Sequence, residues 1–284
     1  MLNINKFIST TFTEIVRNQK LLEISEPVLD LSNFSFISPG GLVPLTALCF
    51  DLSNKGRTLK IKVSDPNLRN YFVKSGFLDV ARKIVRFDPQ LLPTRLVEYD
   101  DWKGLNTKLI ELTKIENHND LDPILKKTIN TLRGEMKYPI NDAFNMGIAL
   151  SEMCQNTIDH NNEVCGFFSM QLFNSGQRPF MEIGISDCGV GLSQTLSENP
   201  KNPALKDDFE AIKLATALGS SQYDDPTRGT GFHHLIKIVE KYLGSIRITS
   251  GSATLYYRAD KNETLSFNSV PMPGVTVVLS LPQN

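Results

Sequence analysis

Apolar and polar positions change period several times along the first ninety residues. Leu21-Leu22-Glu23-Ile24 and Val28-Leu29-Asp30-Leu31 read as short strands broken near Pro27, since proline cannot donate to a central ladder. After Pro39-Gly40-Gly41, the stretch Leu42 to Leu52 carries apolar residues at helical spacing. Lys55-Gly56-Arg57 ends it, and Thr58 to Val63 alternates as a half-buried strand does. Asp65-Pro66 opens another helix through Phe72 and Val73, stopped at Gly76. This β-β-α-β-α order predicts a small α/β layer domain over residues 1–90.

From Asp88 to Tyr138 the chain is more polar, and Leu105 to Ile115 and Ile124 to Leu132 can each be written as amphipathic helices. Residues 91–138 are therefore expected to form a helical connector. A second domain, 139–284, is expected to begin near Pro139. It opens with a long helix, Asn141 to His160, followed by strands at Gly166–Phe173 and Phe180–Ser186. A long loop-rich insert (192–228), a helix from Gly231 to Tyr242 and further strands complete it. The class expected is α/β, built as two α+β domains, with no internal repeat.

Composition narrows this little but usefully. A chain of 284 residues fits about two domains of ~150 residues. Its 40% hydrophobic content supports an ordinary core and excludes an intrinsically disordered chain. Thirty Lys and Arg against 31 Asp and Glu leave a net charge of −1, which excludes nonspecific polyelectrolyte wrapping of nucleic acid. Cys49, Cys154, Cys165 and Cys188 show no C-x2-C pair of the zinc-finger kind. No apolar run reaches the length of a membrane span, so a cytoplasmic protein without membrane or nucleic-acid partners is expected.

Three segments carry candidate chemistry. In Glu152-Met-Cys-Gln-Asn156-Thr-Ile-Asp159-His160, residues 152, 156 and 160 share one helical stripe. An Asn amide oxygen is a hard, neutral ligand suited to Mg2+, and a carboxylate one turn away can take a proton from water. An exposed polar helix face explains the same stripe. In Ser186-Asp187-Cys188-Gly189-Val190-Gly191, a strand ends on a carboxylate able to accept from an exocyclic amine. Its glycines let the backbone approach a flat ligand; a plain strand-ending turn is the alternative. Arg228-Gly229-Thr230-Gly231-Phe232 precedes an apolar-periodic helix, so free N–H groups, a hydroxyl and a guanidinium can meet an anion; an ordinary helix start reads the same way.

Taken in series, and closed by the strand Gly274 to Pro282, these segments resemble the GHKL ATP-binding domain shared by DNA gyrase, MutL, histidine kinases and anti-sigma-factor serine kinases. The resemblance covers residues 139–282. It implies a Bergerat α/β sandwich whose mixed sheet is covered by helices on one face, with ATP and Mg2+ as cofactors. Asn156 is then the metal ligand, Asp187 the adenine acceptor, and Gly189 and Gly191 the room for the base. Residues 192–228 become a lid, and Arg228, Gly229, Thr230, Gly231 and Phe232 a phosphate cradle. Glu152 falls on the general-base position, and Asp159 and His160 on polar positions of the same helix. The family often has Gly-Thr-Thr in the last strand; Val275 stands at the first Thr here, leaving Thr276 for the adenine. His118-Asn-Asp-Leu-Asp-Pro123 has the spacing of a phosphoacceptor box, but the 38 positions to Asn156 leave too little chain for the family's helical hairpin, so coincidence is expected.

Leu29-Asp30-Leu31 through Ser38-Pro39-Gly40-Gly41-Leu42, with Ser75-Gly76-Phe77-Leu78, resembles the STAS domain of anti-anti-sigma factors. Gly40 takes the place of that family's phosphorylated Ser, which implies a docking surface for a protein partner and no phosphorylation switch. Together the resemblances imply an ATP-binding regulator, acting as a protein serine/threonine kinase, an ATP-hydrolysing clamp or a nucleotide sensor, with a homodimer among the arrangements open to it.

Overall fold

The computed structural model describes residues 6–8, 10–91, 109–159, 166–174, 178–217 and 230–284. The N-terminal part runs β1 (Lys6–Phe7), α1 (Phe12–Asn18), β2 (Val28–Asp30), β3 (Phe36–Ile37), α2 (Pro39–Asn54), β4 (Leu59–Lys62), α3 (Pro66–Lys74), α4 (Phe77–Ala81) and β5 (Val85–Asp88). Strands β2, β4 and β5 form a parallel sheet in that order, and β1 pairs in parallel with β3. Asp65 starts α3 by accepting the Leu68 N–H at 2.9 Å, and Pro66 follows at the first helical position, where its missing N–H costs nothing.

The remainder runs β6 (Leu109–Ile115), α5 (Leu121–Gly134), α6 (Ile140–Asp159), β7 (Gly166–Phe173), β8 (Phe180–Asp187), α7 (Leu192–Ser197), α8 (Asp208–Thr216), α9 (Gly231–Lys241), β9 (Ser245–Arg258) and β10 (Glu263–Pro282). A short 3-10 turn at His118–Asp120 leads into α5. The five strands pair antiparallel throughout, in the order β6-β7-β8-β10-β9. The molecule thus combines a parallel and an antiparallel sheet, and the mixed sheet expected for the C-terminal half is antiparallel instead.

Period-2 alternation gives that sheet two covered faces. Met181, Ile183 and Ile185 of β8 join Met146, Leu150, Leu235 and Leu279 in one core beneath α5, α6 and α9. Glu182, Gly184 and Ser186 point the other way. On that second face lies α2, in which 12 of 16 residues are buried, as a helix apolar all round must be. It packs on β7, β8 and β10. A Cβ on Gly184 would stand 2.8 Å from Val43 Cγ2 and 2.9 Å from the Pro39 carbonyl oxygen, so the missing side chain sets how closely helix and sheet approach. The Gly40 N–H donates to Glu182 Oε1 at 2.7 Å, the Leu112 N–H to the Ser75 carbonyl at 2.6 Å, and the Tyr71 hydroxyl to Gln171 Oε1 at 2.6 Å. Leu112, Phe167 and Met272 of the antiparallel sheet complete the N-terminal core.

Several expectations are thereby corrected. The helices of one face are matched by a second cover, supplied by the N-terminal part. The turn Ser38 to Gly41 is buried under the antiparallel sheet, so it is an internal contact. Residues 109–115 are an edge strand, not the end of a helix in a connector; residues 92–108 lie outside the described residues. Leu21 to Ile24 form turns, and the insert after Gly191 holds two helices, α7 and α8.

Candidate functional site

The last turns of α6, the end of β8, the starts of α7 and α9, and β10 line a cleft that opens to solvent. Asn156, Asp187, Gly189, Gly191 and Phe232 all line it. These residues come from three segments far apart in the chain. Met153, Ile185, Val275 and Val277 supply apolar walls.

Asp187 ends β8 and is buried. Its Oδ1 accepts the Gly189 N–H at 2.7 Å, closing a tight turn, and its Oδ2 accepts the Val275 N–H at 3.2 Å. Burial pushes its carboxyl up to about 6, and the two N–H groups only partly offset the loss of water. Gly274 has φ 58°, and a Cβ there would lie 2.2 Å from Asp187 Oδ1, so β10 must pass Asp187 with a bare backbone. Its N–H donates to the Gly189 carbonyl at 2.9 Å, tying the turn to β10. Gly191, at φ 81°, leads into α7, whose Leu192 N–H reaches Ser250 Oγ at 2.9 Å.

Glu152 lies one turn before Asn156 and accepts from the Thr230 N–H at 2.9 Å and the Thr230 hydroxyl at 3.0 Å. A carboxylate therefore occupies the N-terminus of α9, where the orphan N–H groups and the helix dipole favour negative charge. Gly231 follows, and a Cβ on it would lie 3.0 Å from Glu152 Cδ.

Thr276 is not in the cleft. Its Oγ1 pairs with Ser186 Oγ at 2.7 Å on the face covered by the N-terminal part, and Val275 and Val277 flank it on the cleft side. Strand alternation decides this. Arg228, Gly229 and His160 lie outside the described residues, as do Cys165, the 218–228 portion of the expected lid and the side chain of Asp159, the last residue of α6. His118 sits in the exposed 3-10 turn before α5, and His233 and His234 in the first turn of α9. Among the described residues no group of three His, Cys, Asp or Glu side chains is placed to hold a metal ion. The apolar wall of Val275 and Val277 and the bare passage at Gly274 were missed by motif reading; alternation along β10 carried the first signal, and a glycine before a strand the second.

In comparisons with known proteins, no family model and no curated protein matches the chain.

Proposed function

We propose that the cleft binds a purine nucleoside triphosphate, ATP, together with Mg2+, and that the protein is a nucleotide-governed regulator. The observation that carries this reading is the convergence of Asn156, Asp187, Gly189, Gly191 and Phe232 on one cleft. A pocket with apolar walls and few polar groups is suited to a flat heterocycle. Ionised Asp187 is an acceptor for an exocyclic amine, with Val275, Val277 and Ile185 against the face of the ring. The phosphates would run toward Asn156 and the start of α9. The donor set there fits Mg2+ only in company: one amide oxygen from Asn156, with phosphate and water oxygens supplying the rest. Bound in that way, the ion would neutralise phosphate charge.

Thr230 is the residue a terminal phosphate would engage, through its N–H and hydroxyl. That anion and Glu152 compete for the same donors, so binding would release the carboxylate to hold a water or a substrate hydroxyl. Transfer to a Ser or Thr of a partner protein is the reading we favour for the chain's purpose. Hydrolysis in a conformational clamp is the second, favoured by the presence of Glu152 beside the phosphate end.

A fluorescent ATP analogue titrated with and without Mg2+ tests the proposal. Saturable, Mg2+-dependent binding that ATP displaces and that Asp187→Asn removes is the expected result; a chain that binds no nucleotide overturns it. Labelled ATP then separates the two purposes, by a marked partner protein or by free phosphate alone.

A further inference from the structure

Among the described residues, the layer formed by α5, α6 and α9 carries an uncovered face. Ile140, Phe144 and Ile148 stand one turn apart on α6 and are 48%, 49% and 61% exposed. The other exposed positions of that stretch are Asn141 and Asn145, so the stripe holds no charge. Single exposed apolar side chains are ordinary, whereas a contiguous, charge-free row has the composition of an interface centre.

Both edges of the stripe are cationic. Ile129 of α5 lies against α6, its Cδ1 2.7 Å from where a Cβ on Gly147 would be. Lys126 and Arg133, three residues before and four after it, therefore follow the same edge of α5. On the other side Lys241 of α9 reaches Asp142 at 2.7 Å, which places Lys237, one turn earlier, along that edge. Lys126, Arg133 and Lys237 are exposed and form no ion pair among the described residues. The described acidic side chains of these helices are engaged or lie beyond the stripe: Asp142 is paired with Lys241, Glu152, one turn past Ile148 on the same row, holds Thr230, Asp122 sits at the start of α5, and Glu240 accepts from Tyr257 on β9.

We propose that this face seats an amphipathic helix of a partner protein, apolar at its centre and acidic along its rims. The stripe runs from Ile140 to Ile148, a rise of ~12 Å, which matches anchors one turn apart on an incoming helix. A second copy of this chain is a poorer occupant, because a twofold contact would set cationic edges against cationic edges. Three unpaired cations also fall short of the four to eight basic residues, on the order of a polybasic cluster, that hold an anionic lipid surface. The proposal stands on this face alone and does not depend on nucleotide binding.

The probe is a fluorescein-labelled synthetic helix of about 18 residues with Leu and Phe at i, i+4 and i+7 and Glu on both flanks. Anisotropy with the full chain should show binding that Ile148→Ser weakens about tenfold or more, as expected for the most exposed anchor of the stripe. Lys126→Glu combined with Lys237→Glu should weaken it similarly, as should raising salt from about 50 to about 300 mM. Ile148 is largely exposed, so its variant should keep the wild-type melting curve, which confirms that lost binding is not lost folding. Equal binding of a scrambled peptide, or binding indifferent to Ile148→Ser, overturns the proposal. So does an Ile148-dependent dimer in sedimentation, or Ile148-dependent capture by phosphatidylserine vesicles without peptide binding.

Discussion

Glu152 on α6 and Thr230 at the head of α9 are joined by two hydrogen bonds, at 2.9 and 3.0 Å, across 78 residues of sequence. The contact closes the phosphate end of the proposed site with a carboxylate of the protein itself. Glu152→Gln keeps an oxygen for the Thr230 N–H but cannot take a proton. Nucleotide affinity should stay within about threefold, and phosphate release or transfer should fall by about a hundredfold or more, read in single-turnover assays. Glu152→Ala removes the acceptor at the helix start and should lower stability by about 1 kcal/mol in denaturant unfolding.

Asp187 couples the site to pH. Its carboxyl is raised to about 6 from an ordinary 3.8, so the folded state binds the proton more tightly than the unfolded one. The stability this contributes is present below about pH 4 and is lost as pH rises through about 6. Asp187→Asn has no such titration. The stability difference in favour of the variant should widen between pH 4 and pH 8 by on the order of 2 kcal/mol, measured by urea unfolding at each pH. The same variant should bind no nucleotide, since its amide cannot accept at both oxygens. A constant difference across that range would show that burial does not charge the site as described.

Gly274 is where β10 passes Asp187. Gly274→Ala places a methyl 2.2 Å from the Asp187 carboxyl at a backbone angle, φ 58°, that disfavours any side chain. Displacement of Asp187 should cost about 1–3 kcal/mol and weaken nucleotide binding by about tenfold or more. Thr276→Val, on a side chain that faces away from the cleft, should leave nucleotide affinity unchanged; a loss there would return Thr276 to the site.

The contact between α2 and β8 joins the two sheets, which should therefore open together. Gly184→Ala pushes a methyl into Val43 and the Pro39 carbonyl, and should destabilise by about 1–3 kcal/mol. Tyr71→Phe strands the Gln171 amide oxygen in the interior and should cost about as much. In either variant hydrogen exchange should speed up together at β4 and β8. Faster exchange confined to β4 would mean that the parallel sheet opens by itself.

Local periodicity alone determined much of this protein. The spacing of Glu152 and Asn156, the spans of β7 and β8, the burial of α2's sequence and the glycines at 189 and 191 all follow from neighbours within a few residues. Strand β6 was not legible, because Ile110, Leu112 and Ile115 serve two different cores across a bulge and so obey neither the helical nor the strand period. The side of the sheet that Thr276 faces, the burial of the Ser38 to Gly41 turn and the grip of Glu152 on Thr230 were decided by tertiary structure. Each depends on which distant strand or helix lies opposite, and a chain's own spacing holds no record of that choice. Periodicity specifies a face; only packing decides what that face meets.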